Sequence, residues 1–394
     1  MNKRGGVVGG ALLIAGTSIG AGMLALPVVS AVAGFVPALV AFFCCWLFMA
    51  ATGLLYLEAC LRIGKETNII TVAYTSLGNA GRIFAWIVYI FLFYLLTIAY
   101  IAGGGEIVSH LFIDRISHRE ASLLFLLVLA PFVLAGTRAV TRLNFLLMVG
   151  LGVSYVILFF IGSSHVESER LLVHHWPKTF FLLPVAFTAF GYQGVIPSLI
   201  TYLDFDAKKL RLAILIGSFI PFVIYLFWEW LILGIVPVEG VGGLLEALQA
   251  GDSAIAPLRF FIKNRWVYPV ARFFAFFAIV TSFLGVTLGL VDFMADGLKI
   301  KKKGRGKVLL ALLVFVVPLF VVLVNPHLFL KALGYAGGIG GSLLLGLLPI
   351  MVVFSVRYLK KGKQTPRQLF GGKTMLGVLT LFVLVVIVTQ LMNF

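Results

Sequence analysis

The first residues that could do chemistry lie in a glycine-rich tract near the start of the chain, Ala15-Gly16-Thr17-Ser18-Ile19-Gly20-Ala21-Gly22-Met23-Leu24-Ala25-Leu26-Pro27. The tract sits inside an apolar stretch that is long enough to cross a bilayer. Glycine costs about 1 kcal/mol relative to alanine in a helix interior. Non-helical backbone is tolerated at membrane depth only where protein buries it or water reaches it. The glycines therefore predict a broken helix whose free amides and carbonyls face a ligand.

A second interruption lies in the middle of another apolar run, Phe187-Thr188-Ala189-Phe190-Gly191-Tyr192-Gln193-Gly194-Val195-Ile196-Pro197-Ser198. Its glycine-to-proline ending resembles that of the first tract, and proline suits the start of a helical segment because its missing N–H would lack a partner there. The N-terminus of a half-helix suits a carboxylate, whereas the carbonyls at a C-terminus suit an ammonium group or a cation. An α-amino acid offers both groups. Two flexible helices packed through small residues are the alternative interpretation.

The elements that must position these tracts are transmembrane helices. The 394 residues are 61% hydrophobic and 12% charged, with a mean hydropathy of +1.10, whereas soluble domains carry about 25% charged residues. The long continuous apolar runs exclude an outer-membrane barrel. They predict an all-α polytopic membrane protein with a single transmembrane domain over residues 1–394. The eleven predicted spans are 7–33, 36–61, 83–112, 121–137, 143–162, 179–203, 210–236, 266–298, 306–324, 332–356 and 374–393. Short surface helices are expected in the loops 62–82 and 237–265.

The basic residues predict the orientation. If the N-terminus lies in the cytoplasm, most of the 31 Lys and Arg residues fall on the inner side, most densely in 299–307 and 357–373. The net charge of +16 is then explained by topology and contact with lipid headgroups, which excludes a nucleic-acid partner. Cys44, Cys45 and Cys60 share one span without metal or disulfide spacing, so we expect packed thiols and no metal site.

The two interruptions lie five spans apart, and an odd offset inverts the second copy relative to the first. Residues 7–162 and 179–356 are therefore predicted to form inverted repeats, with 374–393 as an additional eleventh helix. Paired broken helices in corresponding positions are the best sequence indication of a transporter's substrate site. The chain has no phosphate-binding loop for ATP and no zinc-protease motif or nucleophile–base set, so neither an ATP-driven pump nor an enzyme is predicted. A channel or a membrane sensor stays open as an alternative.

Several motifs together resemble the bacterial hydroxy and aromatic amino acid permeases, in the branch of the tyrosine transporters, within the amino acid–polyamine–organocation superfamily. The motifs are Ala15–Pro27, Leu57-Glu58, Thr97–Ile101 with Gly105-Glu106, Phe187–Ser198, Lys209-Leu210-Arg211, Thr281–Gly285 with Gly289, and Leu333–Gly337. The resemblance implies a LeuT-like fold of inverted five-helix repeats in the bacterial inner membrane. It also implies alternating access and cation-coupled uptake of an aromatic amino acid. L-tyrosine is the favoured substrate, and a broader aromatic or neutral amino acid range is the alternative.

The resemblance also implies roles for individual residues. The unwound loop Ile19-Gly20-Ala21-Gly22 would hold the substrate carboxylate through its amides. Hydroxyl groups before the loop could join it or bond back to a helix carbonyl. Aromatic side chains beside Gly191 would surround the substrate ring, and one face of the third span would line the cavity. The residues concerned are Thr17 and Ser18 before the loop, Phe187 and Phe190 as ring walls, Tyr192 and Gln193 beyond them, Thr97 and Tyr100 on the third span, and Tyr335 as a gating or packing residue.

Carboxylates within the spans are the candidates for ion coupling, because charge at membrane depth is costly. Glu106 is the leading proton-carrier candidate, and Glu58 and Asp292 could couple ions or pair with cytoplasmic basic residues; Glu229 is a fourth carboxylate in a span. Thr281 and Ser282 match hydroxyls that join a sodium site in relatives of the fold. The span 143–162 lacks the lysine that some relatives carry, which leaves the coupling ion open. We expect no cofactor, with H⁺ favoured over Na⁺ as the coupling ion.

Overall fold

The computed structural model describes residues 6–64, 67–111, 115–262, 266–359 and 366–393. Over these ranges the chain is helical, and the only extended pairing is an isolated β-bridge between Gly34 and His174. The helices of the first half are α1 (Val7–Ser18), α2 (Gly22–Ser30), α3 (Phe35–Ile63), α4 (Ile69–Leu111), α5 (His118–Ala135), α6 (Thr137–Gly162), α7 (Ser168–Leu171), α8 (Leu183–Ala189) and α9 (Ile196–Tyr202).

The second half continues with one long helix, two short outer helices and a series of long spans, two of which contain π-helical segments. These helices are α10 (Ala207–Ile235), α11 (Leu244–Ala250), α12 (Ile255–Phe261), α13 (Val267–Gly297), α14 (Arg305–Ala311), α15 (Val317–Val324), α16 (Phe329–Tyr335), α17 (Leu348–Phe354) and α18 (Gly372–Met392). A π-helical turn, Leu312–Val316, joins α14 to α15, and a longer one, Ala336–Leu347, joins α16 to α17.

The predicted membrane spans agree with the described helices. Ten helices or helix groups are long and apolar enough to cross a bilayer, and the bent pair α1–α2 makes an eleventh. The second helix of that pair turns by 58° from the first, so the predicted break in the first span is confirmed. The short helices expected in the loop 237–265 are confirmed as α11 and α12.

Two span boundaries differ from the prediction for local backbone reasons. Helix α4 begins at Ile69 rather than 83, and a non-helical Gly78 with φ 74° bends it between a surface segment and the membrane span. Helix α6 begins at Thr137 rather than 143 because Gly136, with φ 97°, both ends α5 and starts α6. The basic pair expected in an inner loop, Arg138 and Arg142, therefore lies in the first turns of α6.

The core forms around the first broken span. Helix α1 packs along α10, and α2 packs against α8 and the outer helix α11. All nine residues of α2 are buried, as are large α10 side chains such as Tyr225 and Trp228. Because lipid is as apolar as these side chains, close packing and buried hydrogen bonds hold the helices together. The buried hydrogen bonds between helices therefore show which helices position the site.

Candidate functional site

The first break is a gap between two half-helices. Helix α1 ends at Ser18, Ile19 is extended with φ −73° and ψ 111°, and α2 begins at Gly22. The amide of Ala21 donates to Oγ of Ser282 on α13 over 3.0 Å. A Cβ atom on Gly20 would collide with the same Ser282 oxygen, so glycine is required where the loop approaches α13. The loop is therefore held against α13 by one side-chain hydroxyl.

Of the other amides around this loop, two donate hydrogen bonds within the turn and two have no partner among the described residues. Met23 N donates to Gly20 O over 3.2 Å, and Leu24 N donates to Ala21 O over 3.1 Å. These bonds leave the amides of Gly20 and Gly22 without a partner among the described residues. Together with the partial positive charge at the start of α2, they form a place that favours an anion.

The second break is held by its own side chains. Helix α8 ends at Ala189, a 3₁₀ turn covers Gln193–Val195, and α9 begins at Ile196. The Gln193 amide donates to Thr52 Oγ1 over 3.1 Å and to Met49 O over 3.4 Å. Its carbonyl accepts from the Tyr192 amide over 3.0 Å, and the Tyr192 hydroxyl donates to Met49 O over 3.0 Å. Tyr192 and Gln193 therefore fasten this break to α3.

The two breaks meet at one point. A Cβ on Gly22 would lie 3.0 Å from Ala189 Cα, so the start of α2 touches the end of α8. The buried hydroxyl of Tyr225 on α10 lies 2.7 Å from Ser18 O and 2.9 Å from Ala189 O. A phenol has one hydrogen to donate and therefore bonds to these two carbonyls alternately. Tyr225 joins the C-terminal ends of the half-helices α1 and α8.

Two more α10 side chains hold the outer half-helix α2. The Trp228 indole donates to Met23 O over 2.9 Å, and Glu229 forms a short hydrogen bond with the Ser30 hydroxyl. From the sequence, Glu229 is predicted only as a carboxylate within a span, and Tyr225 and Trp228 are not predicted at the site. Their spacing of i, i+3 and i+4 inside an apolar span, which places polar groups on one helix face, is the signal that could have found them.

An apolar cavity of about 110 Å³ opens beside the first break. It lies between the loop, the start of α2 and the helices α6, α10 and α13. Its lining residues are Ile19, Met23, Met148, Leu151, Gly152, Tyr155, Ile224 and Phe274. The Tyr155 hydroxyl is satisfied by Ile224 O over 2.9 Å, so the cavity presents an almost wholly apolar surface. It has the character expected for a site that accepts an apolar side chain.

The predicted ring walls have different surroundings. Phe187 is fully buried against Phe48 on α3 and Phe382 on α18, with ring centroids 5.0 Å and 6.0 Å away. The Phe190 ring lies 5.1 Å from that of Tyr225, directly beside the meeting point of the breaks. Geometry therefore places Phe190 near the site and Phe187 in the packing between α8, α3 and α18.

The other predicted substrate residues lie at varied positions. Thr17 is exposed and its hydroxyl bonds back to Leu13 O over 2.8 Å, whereas the buried Ser18 hydroxyl has no partner among the described residues. Thr97 bonds back to Phe93 O over 2.7 Å, while the Tyr100 phenol lies beside Ser282. Gly191 lies directly after the Phe190 cap of α8, and Tyr335 ends α16 beside the π-helical segment. Their roles in substrate binding stay predictions.

The ion-coupling candidates fall into two groups. Glu106 is buried and accepts from the Ser253 hydroxyl over 2.7 Å and from the Ser253 amide over 3.1 Å. Glu58 forms a buried bidentate pair with Arg357, at 2.7 and 2.6 Å, and the half-exposed Asp292 pairs with Lys302 over 2.9 Å. These pairs match the alternative in which Glu58 and Asp292 bind basic residues near the inner helix ends.

The hydroxyls predicted for sodium donate within their own helix. Thr281 Oγ1 donates to Phe277 O over 2.8 Å, and Ser282 Oγ donates to Ala278 O over 2.9 Å. Across the described residues, no group of three or more His, Cys, Asp or Glu side chains could hold a metal ion.

Comparison with known proteins identifies the family. Residues 3–390 match the tryptophan/tyrosine permease family. The tryptophan-specific transport protein of Haemophilus influenzae is 32% identical, with 99% of this chain and 96% of that protein covered. The tyrosine-specific transport system 1 of the same organism is 33% identical, with 98% and 96% covered.

A solved structure shows the same fold. The crystal structure of MhsT in complex with L-phenylalanine superposes with a TM-score of 0.68 at 14% identity and covers both chains completely. The LeuT-like fold is thereby confirmed. Because the family consists of permeases, this chain is a multi-pass transport protein of the bacterial inner membrane rather than an enzyme. The match over nearly its whole length places this chain in the tryptophan/tyrosine permease family.

Proposed function

We propose that this chain is a secondary active symporter that imports an aromatic amino acid, with tyrosine favoured and a proton gradient as the driving force. The observation that carries the proposal is the meeting of the two helix breaks. Gly22 touches Ala189, and one phenol, that of Tyr225, reaches a carbonyl from each break. A ligand bound here contacts both broken spans at once, which is the arrangement that alternating access requires.

The polar groups at this point match the two ends of a zwitterion. The unpartnered amides of Gly20 and Gly22, with the Ser282 hydroxyl beside them, favour the carboxylate. The carbonyls of Ser18 and Ala189 favour the ammonium group, because both lie at C-terminal ends of half-helices. When the ammonium donates to these carbonyls, the Tyr225 hydroxyl is released to accept a third ammonium hydrogen.

The cavity beside the first break would take the aromatic ring. It borders Ile19 and Met23, which flank the amides proposed for the carboxylate. Its Phe274 and Tyr155 rings can stack on an aromatic substrate, at about 1 kcal/mol per pair. Met23 and Met148 add flexible sulfur contacts to the ring edge, which accommodate rings of different shape. The cavity therefore favours an aromatic side chain over a charged one.

The comparisons support the same substrate class. Two relatives carry names specific for tryptophan and for tyrosine, and the solved structure with the same fold binds L-phenylalanine. We infer an aromatic amino acid for this chain, with tyrosine preferred. We propose alternating access for the cycle because the unwound loop of the first break would let α1 and α2 tilt separately.

Proton coupling is favoured over sodium coupling by the surroundings of the first break. The side chain nearest Gly16 on α6 is Met148, which cannot ligate a hard cation well. The Thr281 and Ser282 hydroxyls donate to carbonyls of their own helix. Sodium coupling through these two hydroxyls is the second candidate, because the Ser282 oxygen lies next to the unwound loop and Thr281 precedes it in α13.

Uptake into proteoliposomes tests the proposal. Labelled tyrosine is offered under an inward proton gradient, an inward sodium gradient, or neither, with tryptophan, phenylalanine and leucine as competitors. We expect accumulation under the proton gradient and competition by the aromatic amino acids but not by leucine. Accumulation only under the sodium gradient would support the second candidate, and currents without accumulation would show a channel.

A further inference from the structure

We infer that Glu229 on α10 is the proton-binding site of this transporter, and that α2 can close against α10 only when this carboxyl carries a proton. The inference rests on the proposed proton-coupled function and identifies the residue that would take up the proton. Nothing in the sequence motifs or in the relatives' names indicates this role.

Because Glu229 is buried, its charge state would decide whether α2 can close against α10. Its side chain is fully buried, and its Oε2 atom has no hydrogen-bond partner among the described residues. Its other oxygen contacts only the Ser30 hydroxyl, which is also fully buried. An ionised carboxylate in such a place lacks any compensating cation and would cost several kcal/mol. A protonated carboxyl is the form that fits this environment.

The hydrogen bonds of Ser30 lead to the same conclusion. Its hydroxyl lies within bonding distance of Glu229 Oε1 and also 3.3 Å from Pro27 O. The carbonyl oxygen can only accept, and Ser30 has one hydrogen to donate. Both contacts form together only if Glu229 supplies a hydrogen to Ser30 while Ser30 donates to Pro27. A protonated Glu229 thus allows a chain to Ser30 and on to the Pro27 carbonyl, whereas an ionised Glu229 leaves one of the two Ser30 contacts without a hydrogen.

No neighbouring charge replaces that proton. Helices α1, α2 and α8, which adjoin this part of the fold, contain no titratable side chain. The titratable and charged residues on the outer part of α10 and of the other packed elements are Cys44, Cys45, Tyr155, His165, Glu167, Glu169, Arg170, the exposed Lys178, Tyr225, Glu246, Arg259, Tyr268 and Arg272. Within the described ranges, none of them forms a hydrogen bond or ion pair with Glu229.

The three arginine side chains among these neighbours have other partners. Arg170 pairs with Glu167 over 2.8 Å and donates to Ile235 O, and Arg259 lies over the Phe260 ring at 4.6 Å. Arg272 donates to His110 O over 2.5 Å. These contacts leave the Glu229 carboxyl to be neutralised by a proton.

Glu106, the other buried carboxyl on the outer side, differs in its partners. Both contacts from Ser253, the hydroxyl and the amide, donate to Glu106, which satisfies an acceptor-only carboxylate. Glu106 thereby anchors the outer loop before α12. Glu229 instead joins two parts of the transport machinery, the mobile half-helix α2 and the helix α10 that also carries Tyr225. Protonation of Glu229 would therefore be coupled directly to closure of the first broken span, in which α2 packs against α10.

The consequence is a required order of events. When α2 lies away from α10, Glu229 is hydrated and can take up a proton from the outer solution. Protonation removes the charge, so that α2 can pack against α10 and Ser30 can bond to the carboxyl. Tyrosine binding, which needs the closed α2, is then expected to be tighter at acid pH than at alkaline pH.

The test uses the full-length protein in proteoliposomes without sodium. Wild type, Glu229→Gln, Glu229→Asp, Ser30→Ala and Glu106→Gln are assayed for tyrosine exchange at equal pH, for accumulation under an inward proton gradient, and for the pH dependence of tyrosine binding. Glu246→Gln is the matched control, because its carboxylate accepts from the Gly242 amide in the outer loop at 2.6 Å.

We expect Glu229→Gln to exchange tyrosine but not to accumulate it, and to bind it with the same affinity at all pH values. Glu229→Asp restores pH-dependent binding. Ser30→Ala shifts the midpoint of the pH dependence by about one unit toward acid, because a lost hydrogen bond of about 1.4 kcal/mol weakens the protonated form.

Several results would overturn the inference. One is proton-driven accumulation by Glu229→Gln at the wild-type level, and another is loss of the pH dependence in Glu106→Gln but not in Glu229→Gln. If Glu229→Gln neither exchanges nor binds, the Ser30→Ala variant decides, and an unchanged midpoint refutes the proposal. Failure of the wild type itself to respond to the proton gradient would refute the proposed function instead.

Discussion

The two helix breaks look alike in sequence but differ in how the rest of the fold holds them. The first is touched by side chains from other spans: Ser282 binds the Ala21 amide, and Tyr225 reaches Ser18 O. The second shares Tyr225 through Ala189 O but is also fastened to α3 by its own residues Tyr192 and Gln193. In the proposed site the first break therefore offers two free amides and one carbonyl to the ligand, while the second offers one carbonyl and is otherwise fixed against α3.

The largest effect is expected from filling the first break. In Gly20→Leu the side chain would collide with Ser282 and occupy the place proposed for the carboxylate. We expect tyrosine affinity to fall at least about 100-fold, or about 2.8 kcal/mol, in a folded protein. Equilibrium binding of labelled tyrosine measures the loss. Gly194→Leu is the control at the second break, where nothing lies within 4 Å of an added Cβ. Wild-type affinity in Gly20→Leu would contradict the proposed difference between the two breaks.

The next effect concerns the phenol that joins the breaks. Tyr225→Phe removes the donor shared by Ser18 O and Ala189 O and the group proposed to accept from the ammonium. We expect tyrosine affinity to fall about tenfold, since one buried hydrogen bond is worth about 1 to 1.5 kcal/mol.

A substrate analogue makes this prediction specific. The affinity for 3-(4-hydroxyphenyl)propionate, which lacks the amine, should not fall in Tyr225→Phe. Tyr192→Phe, which removes the phenol that bonds to Met49 O at the second break, is the matched control. Equal losses for tyrosine and its des-amino analogue would show that Tyr225 does not contact the ammonium group.

A smaller effect is expected for the hydroxyl that holds the loop. Ser282→Ala removes the acceptor of the Ala21 amide, and we expect a loss of tyrosine affinity of about fivefold, or roughly 1 kcal/mol. Thr281→Val, one residue earlier, removes a hydroxyl that donates to Phe277 O and should change affinity little. If both variants instead lose a sodium-stimulated component of binding, the sodium alternative is correct.

The smallest effect on affinity should come from the second break. Gln193→Leu removes the bonds to Thr52 and Met49 and takes away the side-chain oxygen that accepts from the buried Tyr192 amide. We expect a lower thermal stability, by about 1 to 3 kcal/mol of unfolding free energy, with tyrosine affinity changed less than in Ser282→Ala. A melting curve with and without tyrosine separates the two quantities. A large loss of affinity in a stable protein would make the second break part of the polar site.

Much of the fold could be predicted because its signals are local. The length and apolarity of each span, the glycines at Gly20 and Gly22, and the proline that starts α9 act within a few residues of themselves. They predicted eleven spans and the position of both breaks. The predicted start of α6 was wrong, because Gly136 places two helices end to end. The basic residues Arg138 and Arg142 therefore lie inside α6 rather than in a loop.

The candidate site could be predicted only in part. The unwound loop could be predicted because the residues that unwind the helix are neighbours in the sequence. Tyr225, Trp228 and Glu229 were not assigned to it, since their partners Ser18, Met23 and Ser30 lie about 200 positions earlier in the chain. The prediction that Phe187 is a ring wall came from its nearness to the break, and position in the sequence does not set the direction of a helical side chain. Its ring contacts Phe48 and Phe382.

The sequence by itself determined that this is a membrane protein built on two interrupted helices, because hydrophobic length, glycine and proline act on the backbone nearby, and its motifs gave the resemblance to a permease family. Only the tertiary structure decided which of the buried polar groups meet. Glu106 faces donors from Ser253, while Glu229 faces a single hydroxyl and an apolar interior. The physical reason is that the charge state of a buried carboxyl depends on the atoms packed around it, and those atoms come from distant parts of the chain.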